Sequence, residues 1–382
     1  MTNQKFKLYT AGPVDVPQRI QQEIGQPIIY HRDPEFISIF NEMITGIKYL
    51  IQTKNDILIF TASGTGGMEA VVANIFSTGD RVLVVEQGKF SKRWSEICKS
   101  YGILVNKIEL SWQESVTADQ VKQAVGRTSE LKAVFMAHCE TSTGALNDIK
   151  SIAKIVHEHS NAIIIVDAIS TIGSLPFIMD EWGIDVAVFS SNKGLMNPPG
   201  LVFVALNSTA WKYAQQSNLP KYYFSFEKTR HAFRAGISTP FTPAISLVRG
   251  VSRVICDIKQ LGLKKLWAQH HNLAQAFRSA IKSMGLKIWP TYPSDSLTVI
   301  EIPSPFEANR ILTILREKYG ILVSKGQGKL NNNVIRVGHL GEIKPDDFAE
   351  IISALENILL QFGWDMEAGT GLKVFNSCID NE

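Results

Sequence analysis

The chain has 382 residues, of which 45% are hydrophobic and 20% charged, a composition typical of a globular protein and not of a disordered chain or a fibre. This length allows one large domain and a smaller one, each with its own core. The formal net charge is +3 and the basic residues are scattered, so no nucleic-acid surface is indicated, while a small anion stays open as a partner.

The cysteines and the first residues bear on the compartment. Cys98, Cys139, Cys256 and Cys378 lie far apart and form no CxxC pair, so neither a zinc site nor a disulfide framework is predicted. The start, MTNQKFKLYT, has no apolar region, and no apolar run approaches the roughly 20 residues that span a bilayer. We therefore expect a cytoplasmic protein with no metal site and no membrane or nucleic-acid partner.

The first two thirds of the chain alternate between short apolar runs and stretches with helical spacing. The runs are DILIF (56–60), RVLVV (81–85), AVFMA (133–137), AIIIV (162–166) and IDVAVF (184–189). Strands that are apolar throughout and interleaved with amphipathic helices are typical of a parallel sheet covered on both faces. This part of the sequence therefore predicts an α/β domain with a mostly parallel central sheet.

The pattern changes after about residue 250. A long helical stretch near 263–284 precedes strand candidates LTVIEI, ILVS and VIRVG, which predict a smaller C-terminal α+β domain. The tail after Trp364 is expected to be loosely held. The predicted division is an N-terminal arm (1–14), a large domain (15–255), a small domain (256–364) and a tail (365–382).

Ligands of a parallel sheet gather outside the carboxyl ends of its strands, so the residues that follow each run are candidates. SGTGG (63–67) lies between a strand and a helix, where small residues let backbone amides approach a phosphate, although such a segment is often only a turn. Asp167 directly follows a strand and is either a helix N-cap or a partner of a cation. Lys193 follows the next strand and, like most lysines, could be a surface residue, whereas Phe90 could be a core residue.

Taken together, these residues favour one cofactor. Pyridoxal phosphate needs a lysine for its Schiff base, an acid for its pyridine nitrogen and a helix N-terminus for its phosphate. An aromatic ring such as Phe90 would stack on the pyridine. The combination therefore predicts a pyridoxal 5'-phosphate site at one edge of the sheet.

The motifs also carry a resemblance over nearly the whole chain. AGP (11–13), SGTGGMEA, GKFSKRW, HCETSTGALNDI, VDAISTIG, SSNKGLMNPPG and IRVGHLGE resemble the class V, fold-type I pyridoxal-phosphate aminotransferases. The resemblance implies that Lys193 forms the aldimine with the cofactor, that Asp167 pairs with the pyridinium nitrogen and that Phe90 stacks on the ring. The phosphate ligands that it implies are Ser63, Gly64 and Thr65, with Asn192 as a polar neighbour.

Further residues follow from the same resemblance. Thr141 matches a hydroxyl near the ring, Arg336 matches the arginine that holds the substrate's acidic group, and Gly12 should offer backbone donors near that group. Family members are homodimers whose sites borrow a phosphate ligand from the partner, at a segment matched to GISTPFTP (236–243). Thr239 is the predicted ligand there, with Ser238 or Thr242 as alternatives.

The predicted function is a ping-pong transamination through the Lys193 aldimine, with Lys193 and Asp167 as catalytic residues. The amino donor is alanine, serine or 2-aminoethylphosphonate, and the acceptor is pyruvate or glyoxylate. A cysteine desulfurase or selenocysteine lyase is the competing enzyme class, disfavoured by Phe90 and by the absence of cysteine from the loop 324–333. A non-catalytic binding module is the other alternative, and the roles of His31 and Arg32 stay open.

Overall fold

A computed structural model describes residues 6–380 of the chain, so the predicted arm and tail extend beyond the described residues at both ends. Two main sheets and a short hairpin lie within this range. The strands are β1 Lys7–Tyr9, β2 Asp56–Phe60, β3 Arg81–Glu86, β4 Leu104–Glu109, β5 Leu131–Ala137, β6 Cys139–Glu140, β7 Ala145–Leu146, β8 Ile163–Asp167, β9 Val186–Ser190, β10 Val202–Leu206, β11 Lys287–Ile288, β12 Leu297–Glu301, β13 Ile321–Lys325 and β14 Val334–Gly338.

Helices connect and cover these strands. They are α1 Gln18–Ile24, α2 Pro34–Leu50, α3 Gly64–Ile75, α4 Lys89–Ser100, α5 Ala118–Arg127, α6 Ile149–His159, α7 Ser208–Gln216, α8 Phe226–Arg234, α9 Ile245–Leu261, α10 Leu263–Ser283, α11 Ala308–Tyr319, α12 Pro345–Gln361 and α13 Thr370–Asp380, with a 3₁₀ turn at Gly328–Leu330. Among the described residues, none of the helices combines the length and the apolar character needed to cross a membrane.

The larger sheet has the strand order β2-β10-β9-β8-β5-β3-β4. Its neighbours pair in parallel except β10, which runs antiparallel to both β2 and β9. The mostly parallel sheet predicted from the apolar runs is therefore confirmed. The added β10 returns the chain from the edge that carries Lys193, and the runs identified in the sequence all form strands.

Both faces of the larger sheet are buried, as the continuous apolar runs predict. Alternate side chains of each strand enter two separate cores, so that Ile59 and Phe189 pack with α1, α2, α5, α6 and α9. Phe60 and Val188 pack on the opposite face with α3, α4 and α7. Helices on both faces therefore hold the sheet rigid and leave its edges for ligands.

The smaller sheet has the order β1-β13-β14-β12-β11 and packs against α10, α11 and α12. Its strand β1 comes from the N-terminal segment and pairs in parallel with β13, which places residues 10–13 beside β14. The predicted boundary between residues 255 and 256 falls inside α9, whose Val254, Ile255 and Ile258 belong to the core of the larger sheet. The small sheet is thus joined to the large one by helix rather than by a flexible linker.

The expectation that the tail is loosely held is wrong for residues 370–380. They form α13, which packs on α10 and buries Phe375 to 1% exposure. The amide of Gly371 also donates to Glu356 Oε1 at 2.6 Å. The spacing of Leu372, Phe375 and Ile379 is an i, i+3, i+7 apolar stripe, which is the signal that predicts this helix.

Candidate active site

The strand ends that carry the predicted residues meet at one edge of the larger sheet. Phe60 and Ser190 both lie opposite Val202 in the register, and Asp167 lies between Ala137 and the strand β9. The carboxyl ends of β2, β5, β8 and β9 are therefore level with one another. The segments that follow them converge above this edge, as the parallel arrangement requires.

Lys193 lies in the turn after β9, at the position predicted for it. Its Nζ donates a hydrogen bond to the carbonyl of Ala11, and its side chain runs so close to Gly12 that a Cβ at that position would overlap it. Burial lowers the pKa of the Lys193 ammonium to about 8, with a further contribution from the charge of Arg336. A neutral amine is therefore accessible near physiological pH.

Asp167 is the last residue of β8 and is 7% exposed. Its Oδ1 accepts a hydrogen bond from the amide of Ile169 at 2.9 Å. Burial raises the pKa of this carboxyl to about 7, which the hydrogen bond from Ile169 opposes. Within residues 6–380 no lysine, arginine or histidine forms a salt bridge with it, so the carboxylate is available to a cationic ligand.

The predicted phosphate segment begins α3. Ser63 is the N-cap of this helix, and its hydroxyl accepts from the amide of Gly66 at 3.4 Å. Gly64 is needed for space, because a Cβ there would lie 2.5 Å from Ile169 Cδ1. The first amides of any α-helix have no acceptor inside the helix, so this end of α3 can bind an anion.

Phe90 and a residue that sequence reasoning missed lie beside this helix end. Phe90 is in the first turn of α4, and the guanidinium of Arg93 lies 5.0 Å from its ring centre. Arg93 Nη1 donates to Thr65 Oγ1 at 3.1 Å, which places a positive charge at the predicted phosphate position. Arg93 lies three residues after Phe90 on the same helix, and this i+3 spacing is the sequence signal that could have identified it.

Arg336 enters the site from the smaller sheet. It lies in β14 and is 4% exposed, with Nε donating to the carbonyl of Lys325 at 2.9 Å and Nη1 to that of Thr141 at 2.8 Å. Burial lowers its pKa to about 10. No carboxylate of the described residues forms a salt bridge with it, although the negative charge of Glu140 favours its charged form.

Thr141 and Asn192, predicted as neighbours of the ring and of the phosphate, each make a side-chain hydrogen bond at the strand ends. The Thr141 hydroxyl donates to Ser170 Oγ at 2.8 Å, and Ser170, which sequence reasoning did not select, thereby orients it. The side-chain carbonyl of Asn192 accepts from Ser190 Oγ at 2.9 Å. Both polar side chains are therefore held in defined orientations at the strand ends.

In the single chain the segment 236–243 lies at the end of β2, where Thr239 and Thr242 line a cavity with Phe60 and Thr61. Thr239 is 6% exposed, and its hydroxyl donates to the carbonyl of Phe241 at 2.7 Å. Ser238 is also buried and has a positive φ of 66°, whereas Thr242 is exposed. Arg32 Nη1 donates to the carbonyl of Thr239 at 2.8 Å and also to that of Ile237, so Arg32 braces this segment.

The described residues contain no group of three or more His, Cys, Asp or Glu side chains that could hold a metal ion. The groups that do converge are an amine, a carboxylate, a guanidinium and an open helix N-terminus. Among the described residues the half-buried amine and the buried carboxylate form no salt bridge, and the helix end lies beside Arg93. This set fits the aldehyde, the ring nitrogen and the phosphate of pyridoxal phosphate, which supplies an electron sink when bound.

Comparisons with known proteins agree with this fit. The sequence profile described as aminotransferase class-V matches residues 18–337. The chain is 38% identical to a protein named soluble hydrogenase, small subunit, from Synechococcus sp. (strain PCC 6716), over 94% of each chain. It is 32% identical to an L-aspartate–glyoxylate aminotransferase from Paracoccus denitrificans, over 97% of this chain and 95% of that one.

Among solved structures, a ureidoglycine-glyoxylate aminotransferase from Bacillus subtilis superposes with a TM-score of 0.92 and 26% identity, covering 98% of both chains. The fold is that of the fold-type I pyridoxal-phosphate enzymes, as the sequence predicted. On this evidence the chain belongs to the class V aminotransferases, which are pyridoxal-phosphate-dependent enzymes.

Proposed function

We propose that this chain transfers the amino group of a small amino acid to glyoxylate or pyruvate in a ping-pong reaction. The observation that carries the proposal is the convergence of Lys193, Asp167 and Arg336 at one sheet edge, where Asp167 and Arg336 are buried, Lys193 is half-buried, and none of the three forms a salt bridge among the described residues. An uncompensated buried charge is costly, so three in one place indicate ligands that supply the opposite charges.

Lys193 is the proposed nucleophile and base. Its lowered pKa gives a neutral amine that can attack the cofactor aldehyde. Once the substrate amine has displaced Lys193, its nitrogen could take a proton from the substrate carbon and deliver it to the cofactor carbon. The carbonyl of Ala11 accepts a hydrogen bond from Nζ, so the chain can hold the displaced lysine in its charged form.

Asp167 is the proposed partner of the protonated ring nitrogen. In the chain alone its carboxyl has a pKa of about 7 because it is buried. A cation in contact with the carboxylate favours the ionised form, so the bound ring would lower this pKa while keeping its own proton. Asp167 therefore holds a proton at the ring nitrogen, the atom at which it is needed.

Four further contacts complete the proposed cofactor site. Phe90 covers the ring, Thr141 lies near it, and the first turn of α3 with Arg93 holds the phosphate. Asn192 is the proposed polar neighbour of the phosphate. These roles rest on the placement of the side chains and on the family pattern.

Arg336 is the proposed ligand of the substrate carboxylate, with Gly12 beside it. A guanidinium without an ionic partner favours a planar carboxylate, which it can bind through two parallel hydrogen bonds. Relatives of the chain include proteins named L-aspartate–glyoxylate and serine–glyoxylate aminotransferases, which supports glyoxylate as the acceptor. The alternative donor is 2-aminoethylphosphonate, which carries a phosphonate in place of the carboxylate.

The desulfurase alternative has no support in the site. Cys139 is the cysteine beside Lys193, and burial raises the pKa of its thiol to about 11. A thiol of this pKa is a poor nucleophile near neutral pH. The hydrogenase name belongs to the Synechococcus relative, and the amine, carboxylate and guanidinium on this chain favour amino transfer.

A donor panel tests the function directly. Alanine, serine, aspartate and 2-aminoethylphosphonate are each incubated with glyoxylate or pyruvate, and the amino product is measured by chromatography. We expect at least one pair to turn over, and Lys193→Ala and Lys193→Arg to lower the rate at least about 10³-fold because neither supplies a neutral amine. Lys154→Ala, at an exposed position, is the control. Full activity of Lys193→Arg would refute the role of the amine.

The pH dependence of cofactor capture tests the coupling between Lys193 and Arg336. Because only the neutral amine reacts, capture by cofactor-free protein should accelerate as the pH rises through about 8 and then level off. Arg336→Gln removes a charge that lowers the pKa of Lys193, so the midpoint should move to higher pH. Arg336→Lys keeps the charge and should leave it in place. Stopped-flow absorbance measures the midpoint, and identical midpoints for the two variants would contradict the coupling.

We also propose a homodimer in which each copy donates a phosphate ligand to the other, and we revise that ligand from Thr239 to Thr242. The Thr239 hydroxyl is buried and bonded within its own segment, whereas Thr242 is exposed. Losing a hydrogen bond to a charged group costs about 1.5–3 kcal/mol. Thr242→Val should therefore raise the cofactor Kd roughly tenfold or more, and Thr239→Val should change it less. A larger rise in the cofactor Kd for Thr239→Val than for Thr242→Val in fluorescence titrations would identify Thr239 as the ligand instead.

A further inference from the structure

Glu140 is a charged residue without a role in the proposed function, yet it is 0% exposed and lies in the middle of the site. Its Oε2 accepts from the amide of Ser91 at 2.7 Å and from that of Phe90 at 3.1 Å. Its Oε1 accepts from the amide of Ser142 at 3.1 Å and from the hydroxyl of Ser142 at 2.6 Å. Within the described residues no lysine, arginine or histidine forms a salt bridge with it, so backbone and hydroxyl donors satisfy the carboxylate.

These bonds replace the missing cap of α4. The N-cap residue of this helix is Gly88, which has no side chain to accept from the first turn. The carboxylate of Glu140 takes the amides of Phe90 and Ser91, and the hydroxyl of Ser142 accepts from the amide of Lys89 at 2.9 Å. The first three amides of α4 are thus bonded to the segment 140–142, and the negative charge also suits the positive end of the helix.

The close approach of the two segments depends on Gly88. A Cβ at this position would lie 2.5 Å from both Glu140 Cδ and Ser142 Oγ. Real Cβ atoms do not come this close to other atoms, so a side chain at 88 would force the segments apart. The close contact between α4 and the segment 140–142 therefore requires both the missing side chain at Gly88 and the carboxylate of Glu140.

The same segment holds two other parts of the site. Thr141 follows Glu140 directly, and its carbonyl accepts from Arg336 while its hydroxyl donates to Ser170. A shift of the carboxylate would therefore displace the Phe90 backbone on one side and Thr141 on the other. Nothing else among the recorded hydrogen bonds of residues 6–380 ties the first turn of α4 to this segment, apart from the Ser142 hydroxyl.

We propose that Glu140 is a positioning residue for the cofactor ring. It locks the first turn of α4 to the segment 140–142 and so fixes the positions of Phe90 and Thr141 around the ring. The inference rests on the proposed roles of these two residues. Glu140 acts through the backbone of Phe90 and Thr141 rather than by contact with the cofactor.

Electrostatics give Glu140 a second effect, which is separate from its hydrogen bonds. Its negative charge favours the charged form of Arg336, and it also contributes to the raised pKa of Asp167. Removing the charge while keeping the shape should therefore alter the ionisation of the groups that face the ring. Such a change is visible in the spectrum of the bound cofactor and not only in the turnover rate.

The test uses Glu140→Gln in the cofactor-loaded protein. The amide has nearly the shape of the carboxylate, but it loses the charge and turns one acceptor into a donor that faces amide hydrogens. We expect the Kd for pyridoxal phosphate to rise at least about tenfold, as for a lost charged hydrogen bond. The near-visible circular dichroism of the bound cofactor should weaken while the far-ultraviolet spectrum stays unchanged. Glu140→Asp, which keeps the charge, should recover part of the signal.

Glu96→Gln is the matched control, since Glu96 is on the same helix with its side chain 63% exposed. It should bind cofactor like the parent protein. A Kd within twofold of the parent and an unchanged near-visible signal in Glu140→Gln would overturn the proposal. If that variant does not fold, Ser142→Ala decides: a weakened near-visible signal supports the lock, and an unchanged one overturns it. Because both readouts are of cofactor binding, failure of the donor panel in the parent protein would refute the transamination and leave this test valid.

Discussion

The structure depends on the burial of an ammonium, a carboxylate and a guanidinium at one sheet edge without pairing them to one another. Lys193 donates to a backbone carbonyl, Asp167 accepts from a backbone amide, and Arg336 donates to two carbonyls. None of the three forms a salt bridge among the described residues, so each keeps a charge, or the capacity for one, that can pair with a ligand. Such an arrangement costs folding free energy in the empty chain, and binding of the cofactor and substrate would offset this cost.

The fold supplies the rigidity that this arrangement requires. Both faces of the larger sheet are covered by helices, so the strand ends cannot shift independently. The smaller sheet brings Arg336 from β14 and, through β1, the backbone of Ala11 and Gly12 against Lys193. The site therefore forms where two sheets meet, with the proposed substrate ligand Arg336 on the smaller sheet and the proposed cofactor ligands at the edge of the larger one.

The sheet and the positions of Lys193 and Asp167 could be predicted because apolar runs mark buried strands and parallel strands share a carboxyl edge. Glu140 was missed because its role comes from contacts between segments far apart in sequence, which no local pattern contains. Arg93 was missed although its i+3 spacing from Phe90 on one helix is a local signal. The sequence could not distinguish Thr239 from Ser238 and Thr242, because STPFTP offers a hydroxyl at each position. In the structure Thr242 is exposed, whereas the other two are buried. The helix α13 was missed although its apolar spacing was present, because polar residues and glycines dominate the segment that precedes it.

The family and the cofactor follow from the whole chain, whereas the substrate depends on a few side chains around Arg336. Relatives of similar identity carry different names, so overall similarity does not select a donor. The most direct test of the central claim is to reduce the cofactor-loaded protein with borohydride, digest it and locate the modified lysine by mass spectrometry. The account predicts a pyridoxyl phosphate adduct on Lys193 alone. Stoichiometric modification of another lysine, with Lys193 left free, would contradict it.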